Sequence, residues 1–152
     1  MKRINMGRAI LLGIVLLCML TGCYSEPFTY EFRQPRSNVE KVEICAYDHR
    51  EGTREVLGQL DDESIDDLLA DIQALSCNKE TFSYDTPREY GDVVIFITYL
   101  DGEEEMIGII NIGWRAPDGT HHLTKKYFGV SYICAVIAKY VDAEVLAEFD
   151  GF

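Results

Sequence analysis

The side chains best suited to acid–base or metal chemistry in this chain are its three histidines, His49, His121 and His122. General acid–base catalysis needs such a group beside a second one that orients it, and a metal site needs several ligands that converge. His121 and His122 are neighbours in a predicted strand, so their side chains point to opposite faces. The sequence therefore predicts no metal and no cofactor, and it assigns no catalytic residue.

Acidic residues are the second source of chemistry, because two facing carboxyl groups can cleave a glycosidic bond. The chain has 26 of them, so neither type nor spacing singles out a pair. Asp101 and Glu103 to Glu105 form a dense run, which we interpret as a solvated hairpin tip that discourages strand association. The acids between Asp61 and Asp71 lack the spacing of a calcium-binding loop, and we interpret them as the cap and solvent face of a helix.

Trp114 and Arg115 indicate binding more than catalysis. Both residue types are frequent at the energetic centres of interfaces, and a tryptophan on a polar hairpin can stack on a sugar or enter a partner's pocket. Together with His121 and His122 on the same predicted hairpin, they form the candidate binding face. The alternative is that Trp114 covers one end of the core.

The N-terminal residues have the features of a targeting signal. Lys2, Arg3 and Arg8 precede an apolar run over residues 9–20, which is too short to span a bilayer, and Leu20-Thr21-Gly22-Cys23 follows. This arrangement resembles a bacterial lipoprotein signal. The resemblance implies cleavage before Cys23 and a diacylglyceryl group on its thiol, whose two acyl chains hold the protein on the extracytoplasmic face of the cell membrane. The alternative is an ordinary secretory signal or a signal anchor.

The predicted organisation has three parts. Residues 1–22 are the signal peptide, residues 23–38 are a lipidated N terminus and tether, and residues 39–152 are one domain. Removal of residues 1–22 leaves 11 basic against 26 acidic residues, a net charge of −15. So acidic a domain argues against nucleic acid as a partner and against direct binding to anionic lipid headgroups.

Three cysteines remain in the predicted domain, Cys45, Cys77 and Cys134. An extracytoplasmic address permits one disulfide, for which Cys45 with Cys77 is the preferred pair. The alternative is three buried thiols that act as small apolar side chains. No Cys-x-x-Cys spacing indicates a redox or zinc motif.

Hydrophobic periodicity predicts the elements that position these residues. Alternation over residues 39–48, a turn and a return over 54–60 predict a hairpin. Asp61 is then predicted to cap a helix that packs one apolar stripe on the sheet. The residues of that stripe are Ile65, Leu68, Leu69, Ile72 and Leu75.

Two further hairpins are predicted in the second half of the chain. Asp101-Gly102 separates two apolar runs and predicts a two-residue type I′ turn, which pairs Ile97 with Met106. Both faces of this hairpin are apolar, so its strands are predicted to be central and covered on both sides. The next hairpin turns at residues 116–119, and Ser131 is predicted to cap a last helix. The buried face of that helix is predicted to be Ile133, Val136, Ile137, Tyr140 and Val141.

In Leu60 to Leu75, in Tyr99 to Gly108 and in the last helix, the chain resembles small lipoproteins of unknown function from Gram-positive bacteria. The resemblance implies an antiparallel sheet packed by helices and no activity. The predicted fold is α+β, with an antiparallel sheet of about five or six strands packed by two helices in the order β-β-α-β-β-β-β-α. The predicted function is non-enzymatic binding of a protein or envelope ligand. The alternatives are an inhibitor or immunity protein and a cell-wall hydrolase.

Overall fold

The computed structural model describes residues 28–48, 50–79, 92–108, 112–124, 126–128 and 130–149. The predicted signal peptide, Cys23 and His49 lie outside the described residues. Nine strands, three α-helices and one 3-10 turn are described. They are β1 (Phe28–Thr29), the 3-10 turn (Arg36–Asn38), β2 (Val39–Asp48), β3 (Thr53–Gln59), α1 (Asp62–Ala74), β4 (Ser76–Lys79), β5 (Asp92–Tyr99), β6 (Glu104–Gly108), β7 (Ile112–Arg115), β8 (His121–Leu123), β9 (Lys126–Phe128), α2 (Val130–Ile137) and α3 (Ala143–Leu146).

Six of these strands form one antiparallel sheet in the order β3-β2-β5-β6-β7-β8, which we call the large sheet. The α+β class with an antiparallel sheet packed by helices is confirmed. The structure adds a small antiparallel sheet in the order β1-β4-β9 and a short third helix, neither of which was predicted.

The large sheet is buried on both faces at its centre. One face packs on the helices and forms the main core. The residues of the main core include Val42, Ile44, Ile95, Ile97 and Ile107 from the sheet, Ile65, Leu68 and Ile72 from α1, and Ile133 and Ile137 from α2. The second face holds a smaller cluster, Cys45, Val94, Phe96 and Met106, with Tyr47 packed against it. The prediction that β5 and β6 are central strands covered on both sides is confirmed.

The start of α1 agrees with its predicted cap. Asp61 Oδ1 accepts a hydrogen bond of 2.9 Å from the backbone N–H of Ser64, and the hydrogen bonds from Ser64 hold the pKa of Asp61 below its ordinary value. The predicted cap of the last helix is wrong. Because α2 begins at Val130, Ser131 lies inside the helix and not at its N-cap position.

The β5–β6 hairpin has a three-residue loop instead of the predicted two-residue turn. The N–H of Tyr99 donates to the carbonyl of Glu103 and the N–H of Gly102 donates to the carbonyl of Tyr99, both at 2.9 Å, and Gly102 has φ +84°. This is the pattern of a type I turn followed by a left-handed glycine that forms a bulge. Ile97 consequently pairs with Glu105 and not with Met106.

A shift of one residue in register moves every side chain of a strand to the other face. Glu105 therefore shares the main-core face with Ile97 and Ile107. Glu104 and Glu105 are only 3% and 1% exposed. The interpretation of this acidic run as a solvated tip is wrong for both residues.

Gly102→Val is expected to lower the free energy of unfolding by about 1–2 kcal/mol, because a β-branched residue is strained at positive φ. A Cβ at this position would meet only Pro117 Cβ at 3.8 Å, an ordinary contact, so the cost lies in the backbone. Gly102→Asn should cost less, since asparagine tolerates the left-handed region. Urea denaturation of the full chain in nonionic detergent measures both variants. Equal losses for Val and Asn would contradict this origin of the strain.

Of the two alternatives for the cysteines, the structure excludes a disulfide between Cys45 and Cys77. Cys45 lies in the middle of the large sheet with its thiol free and buried, whereas Cys77 belongs to β4 of the small sheet. Burial raises the pKa of Cys45 to about 11, so its thiol is protonated and unreactive at neutral pH. Cys134 on α2 is likewise a buried thiol, in keeping with the alternative role of a small apolar side chain.

The folded part of the chain begins earlier than the predicted boundary at residue 39. Phe28 and Thr29 pair with β4, and Tyr30 is 4% exposed within the main core. Residues 28–38, assigned to the tether by the sequence, are therefore part of the folded domain.

Candidate ligand-binding site

Residues 30–36 run from the end of β1 to the first residue of the 3-10 turn, and we call this segment the strap. Two side chains fix it to the loop of the β5–β6 hairpin. Gln34 Nε2 donates a 2.8 Å hydrogen bond to Asp101 Oδ2, and the guanidinium of Arg33 forms an ion pair with Glu103. Both contacts reach residues at the same end of the large sheet.

Glu105 is the polar centre beneath the strap. Its Oε1 accepts a hydrogen bond from the Tyr30 hydroxyl, and its Oε2 accepts from the Tyr99 hydroxyl at 2.5 Å and from the backbone N–H of Arg33 at 3.2 Å. Burial raises the pKa of Glu105, while the donors and the nearby Arg33 charge favour the ionised form. Burial and the hydrogen bond to Glu105 also raise the pKa of Tyr99. Three of the about four lone-pair sites of the carboxylate are thus filled.

Trp114 is stacked between two side chains. The guanidinium carbon of Arg33 lies 3.8 Å from the indole ring centroid, and the His122 ring lies parallel to the indole within 13°, with ring centroids 3.8 Å apart. The backbone N–H of Arg33 binds Glu105 of β6, so the Arg33 side chain reaches Trp114 from the side of β6. His122 belongs to β8, which lies on the other side of β7. The two groups therefore cover opposite faces of the indole.

The four residues of the predicted binding face lie on both sides of the large sheet. Trp114 and His122 are direct partners in the β7–β8 register, and their rings stack on the strap side. Arg115 and His121 are the next pair and face the other way. Arg115 Nη2 binds Glu104 Oε2 at 2.5 Å. The structure thus brings together Trp114 and His122, and it places Arg115 in a separate ionic network.

That ionic network lies on the second face of the large sheet. Arg54 Nη1 is 2.7 Å from Glu104 Oε1, and Arg54 Nη2 is 3.7 Å from Glu43 Oε2. Lys41 Nζ is 3.1 Å from the same Glu43 oxygen, and Arg115 completes the network at Glu104. The three cations neutralise two buried carboxylates that would otherwise be costly to remove from water. We interpret this network as structural.

A groove of about 530 Å³ separates the strap from α1. Its apolar lining consists of Phe32, Pro35, Val39, Leu69, Ala70 and the ring of Tyr99, and its polar lining consists of Glu31, Arg33, Gln34, Arg36, Asp66 and Gln73. A second cavity of about 230 Å³ adjoins the strap and is lined in part by Glu105 and Trp114. The volume of the groove falls within the range of about 300–1,000 Å³ that is usual for ligand pockets.

The cations at the groove already have acidic partners. Arg36 pairs with Asp62 and Asp66 of α1, in addition to the pair between Arg33 and Glu103. These ion pairs join the strap to α1 on one side and to the β5–β6 hairpin on the other. The groove therefore lies beside a segment that contacts both α1 and the β5–β6 hairpin.

Within the described ranges, no three His, Cys, Asp or Glu side chains lie close enough together to hold a metal ion. No described helix is long and apolar enough to cross a membrane. Comparison with protein-family models, with curated proteins and with solved structures finds no match to this chain. The candidate site therefore depends on geometry and chemistry alone.

Sequence reasoning missed Glu105, its partners Tyr30 and Tyr99, and the groove. One signal could have found Glu105. With a three-residue loop, the alternation of Glu105 with Ile107 places the carboxylate on the same face as the buried isoleucines of β5. An acid in that position must have donors close by, and the hydroxyl of Tyr99 on the paired strand is one of them.

Proposed function

We propose that this chain is a lipid-anchored, extracytoplasmic binding protein without enzymatic activity, and that the groove between the strap and α1 receives its protein or envelope ligand. The Leu20-Thr21-Gly22-Cys23 motif supports the anchor. Only four residues separate Cys23 from β1, a distance of at most about 18 Å in an extended chain. The strap follows β1 directly, so the groove would lie close to the membrane.

The observation that carries the binding proposal is the groove itself. It combines an apolar lining, including Phe32, Val39 and Leu69, with a few polar side chains at its borders. This is the usual composition of sites that bind ligands by shape and a small number of directed contacts. The strap side of the groove is held by the burial of Tyr30 and its hydrogen bond to Glu105, which favours a site that is formed before a ligand arrives.

The hydrolase alternative lacks comparable support. Burial raises the pKa of Glu105, as a general acid requires. However, three donors bind its two carboxylate oxygens and the residue is only 1% exposed, so a substrate does not reach it. Sugar stacking on Trp114 is blocked, because Arg33 and His122 already cover both faces of the indole. An inhibitor or immunity protein would also bind through a surface, and the identity of the bound partner separates that role from a more general one.

A photo-crosslinking experiment tests the proposal. A photoreactive phenylalanine analogue at Gln73, in the groove, is compared with the same analogue at Gln59, an exposed residue of β3 that does not line the groove. In intact cells, we expect a discrete adduct from position 73 only. Ala70→Trp fills the groove and should abolish the adduct, while Ala135→Trp on an exposed position of α2 should preserve it.

Two results would overturn the proposal. One is an adduct from position 73 that persists in Ala70→Trp, because the partner would then bind elsewhere. The other is cleavage of purified cell-wall polymer by the full chain that is lost in Glu105→Gln, because the protein would then be an enzyme. Mass spectrometry of the adduct identifies the partner and decides between a single toxic or enzymatic target and an envelope component.

A further inference from the structure

The strap borders the groove with two residues, Glu31 and Phe32, whose backbone has no hydrogen-bond partner in the described chain. The N–H and C=O groups of Glu31 and Phe32 form no hydrogen bond with any other described residue. Both residues line the groove, Glu31 with an exposed side chain and Phe32 with a half-buried one. Extended peptides bind to such backbone by adding main-chain hydrogen bonds, and their alternate side chains then enter the adjoining pocket.

The charges at the groove favour a basic ligand. Arg33 and Arg36 are neutralised by Glu103 and by the acids of α1, whereas Glu31 has no ion pair within the described chain. The full chain has a net charge of −12, and the chain without residues 1–22 has 11 basic and 26 acidic residues, a net charge of −15. A field of this sign attracts cationic segments and repels acidic ones.

We infer that the groove binds an extended peptide segment in which basic and apolar side chains alternate. Every second side chain of an extended peptide points the same way, so the apolar ones enter the groove towards Phe32 and Leu69. The basic side chains then lie at the rim near Glu31, the groove acid that has no ion pair within the described chain. This inference rests on the proposed binding function and names the chemistry of its ligand.

Two end-capped fluorescent peptides serve as probes, Lys-Val-Lys-Val-Lys-Val and Glu-Val-Glu-Val-Glu-Val. They have the same length and apolar residues and differ only in the sign of their charge. With the full chain in nonionic detergent at near-physiological salt, fluorescence anisotropy should show saturable binding of the lysine peptide, at least about tenfold tighter than that of the glutamate peptide. Equal binding of the two peptides, or binding of neither, would overturn the inference.

Two pairs of variants locate the binding. Ala70→Trp should abolish binding of the lysine peptide, and Ala135→Trp should not change it. Glu31→Lys should weaken binding by about tenfold, while Glu55→Lys, with the same charge change on an exposed position of β3, should alter it by less than about twofold. Equal effects of Glu31→Lys and Glu55→Lys would reveal general electrostatic adsorption and contradict a site in the groove.

The peptide-binding and photo-crosslinking results together distinguish a failure of this inference from a failure of the proposed function. If the lysine peptide does not bind but the photoreactive residue at Gln73 still captures a partner in a groove-dependent way, the ligand chemistry is wrong and the binding function stands. If neither experiment gives a signal that Ala70→Trp removes, both are wrong.

Discussion

Glu105→Ala is expected to lower the free energy of unfolding by about 3–5 kcal/mol, the largest loss among the substitutions considered for this fold. The change removes one acceptor from the buried hydroxyls of Tyr30 and Tyr99 and from the part-buried N–H of Arg33, and the loss of such an acceptor costs about 1–3 kcal/mol for each buried donor. Urea denaturation of the full chain in nonionic detergent measures the loss. Trp114 is the only tryptophan of the chain and stacks on Arg33, so its fluorescence reports the release of the strap.

Two controls define the cause of this loss. Glu51→Ala, at an exposed turn, should change the free energy of unfolding by less than about 0.5 kcal/mol. Glu105→Gln keeps a carbonyl acceptor and should lose less than Glu105→Ala. A loss below about 1 kcal/mol for Glu105→Ala would show that Glu105 does not hold the strap.

The pH dependence of the same variants has a definite sign. Because burial raises the pKa of Glu105 in the folded state above its unfolded value, the folded state binds the proton more tightly. The stability of the wild type relative to Glu105→Gln should be greatest below about pH 4 and decline as the pH rises through the folded-state pKa. Asp61 and Asp101, whose pKa values are lowered, are present in both chains and cancel in the difference. A difference that increases with pH would contradict the assignment.

Cys23→Ser is expected to abolish labelling of the protein by a fatty-acid analogue in growing cells. Only a thiol at this position can form the thioether to the diacylglyceryl group, and serine offers a hydroxyl instead. Cys18→Ser is the matched control, because it changes the neighbouring cysteine of the predicted signal and should leave labelling unchanged. Equal labelling of the wild type and Cys23→Ser, measured in the immunoprecipitated protein, would refute the anchor.

The main elements of the fold were predictable because their signals are local. The alternation in β2, the Asp61 cap and the apolar stripe of α1 are each contained within one strand or helix. The turns at Gly52, Gly102 and Gly119 all have the positive φ that their sequences indicate. These signals were sufficient for the α+β class and for most of the element order.

The register of the β5–β6 hairpin was not predictable from the same signals. Asp101-Gly102 fits both a two-residue turn and a three-residue loop, since both place the glycine at positive φ. The difference is whether Leu100 belongs to the strand. Its apolar side chain indicates a strand, but in the structure it is 67% exposed within the loop. This one residue decides which face Glu105 occupies, and with it the centre of the candidate site.

The strap was missed for a different reason. Its proline, Pro35, and its lack of periodicity are typical of a linker, and nothing in residues 30–36 by themselves indicates burial. Tyr30 is buried in the main core, where its hydroxyl binds Glu105, 75 residues farther along the chain. No local pattern contains such a contact.

The same separation sets the order of events during folding. The strap cannot dock until β6 has paired with β5, since its acceptor Glu105 belongs to β6. Arg33 and Glu103 are 70 residues apart in the sequence, so their ion pair also forms only after this hairpin is in place. Closing loops of this size is slow compared with forming the intervening hairpins and α1. The strap is thus expected to dock after α1 and the hairpins have formed, although it precedes them in the sequence.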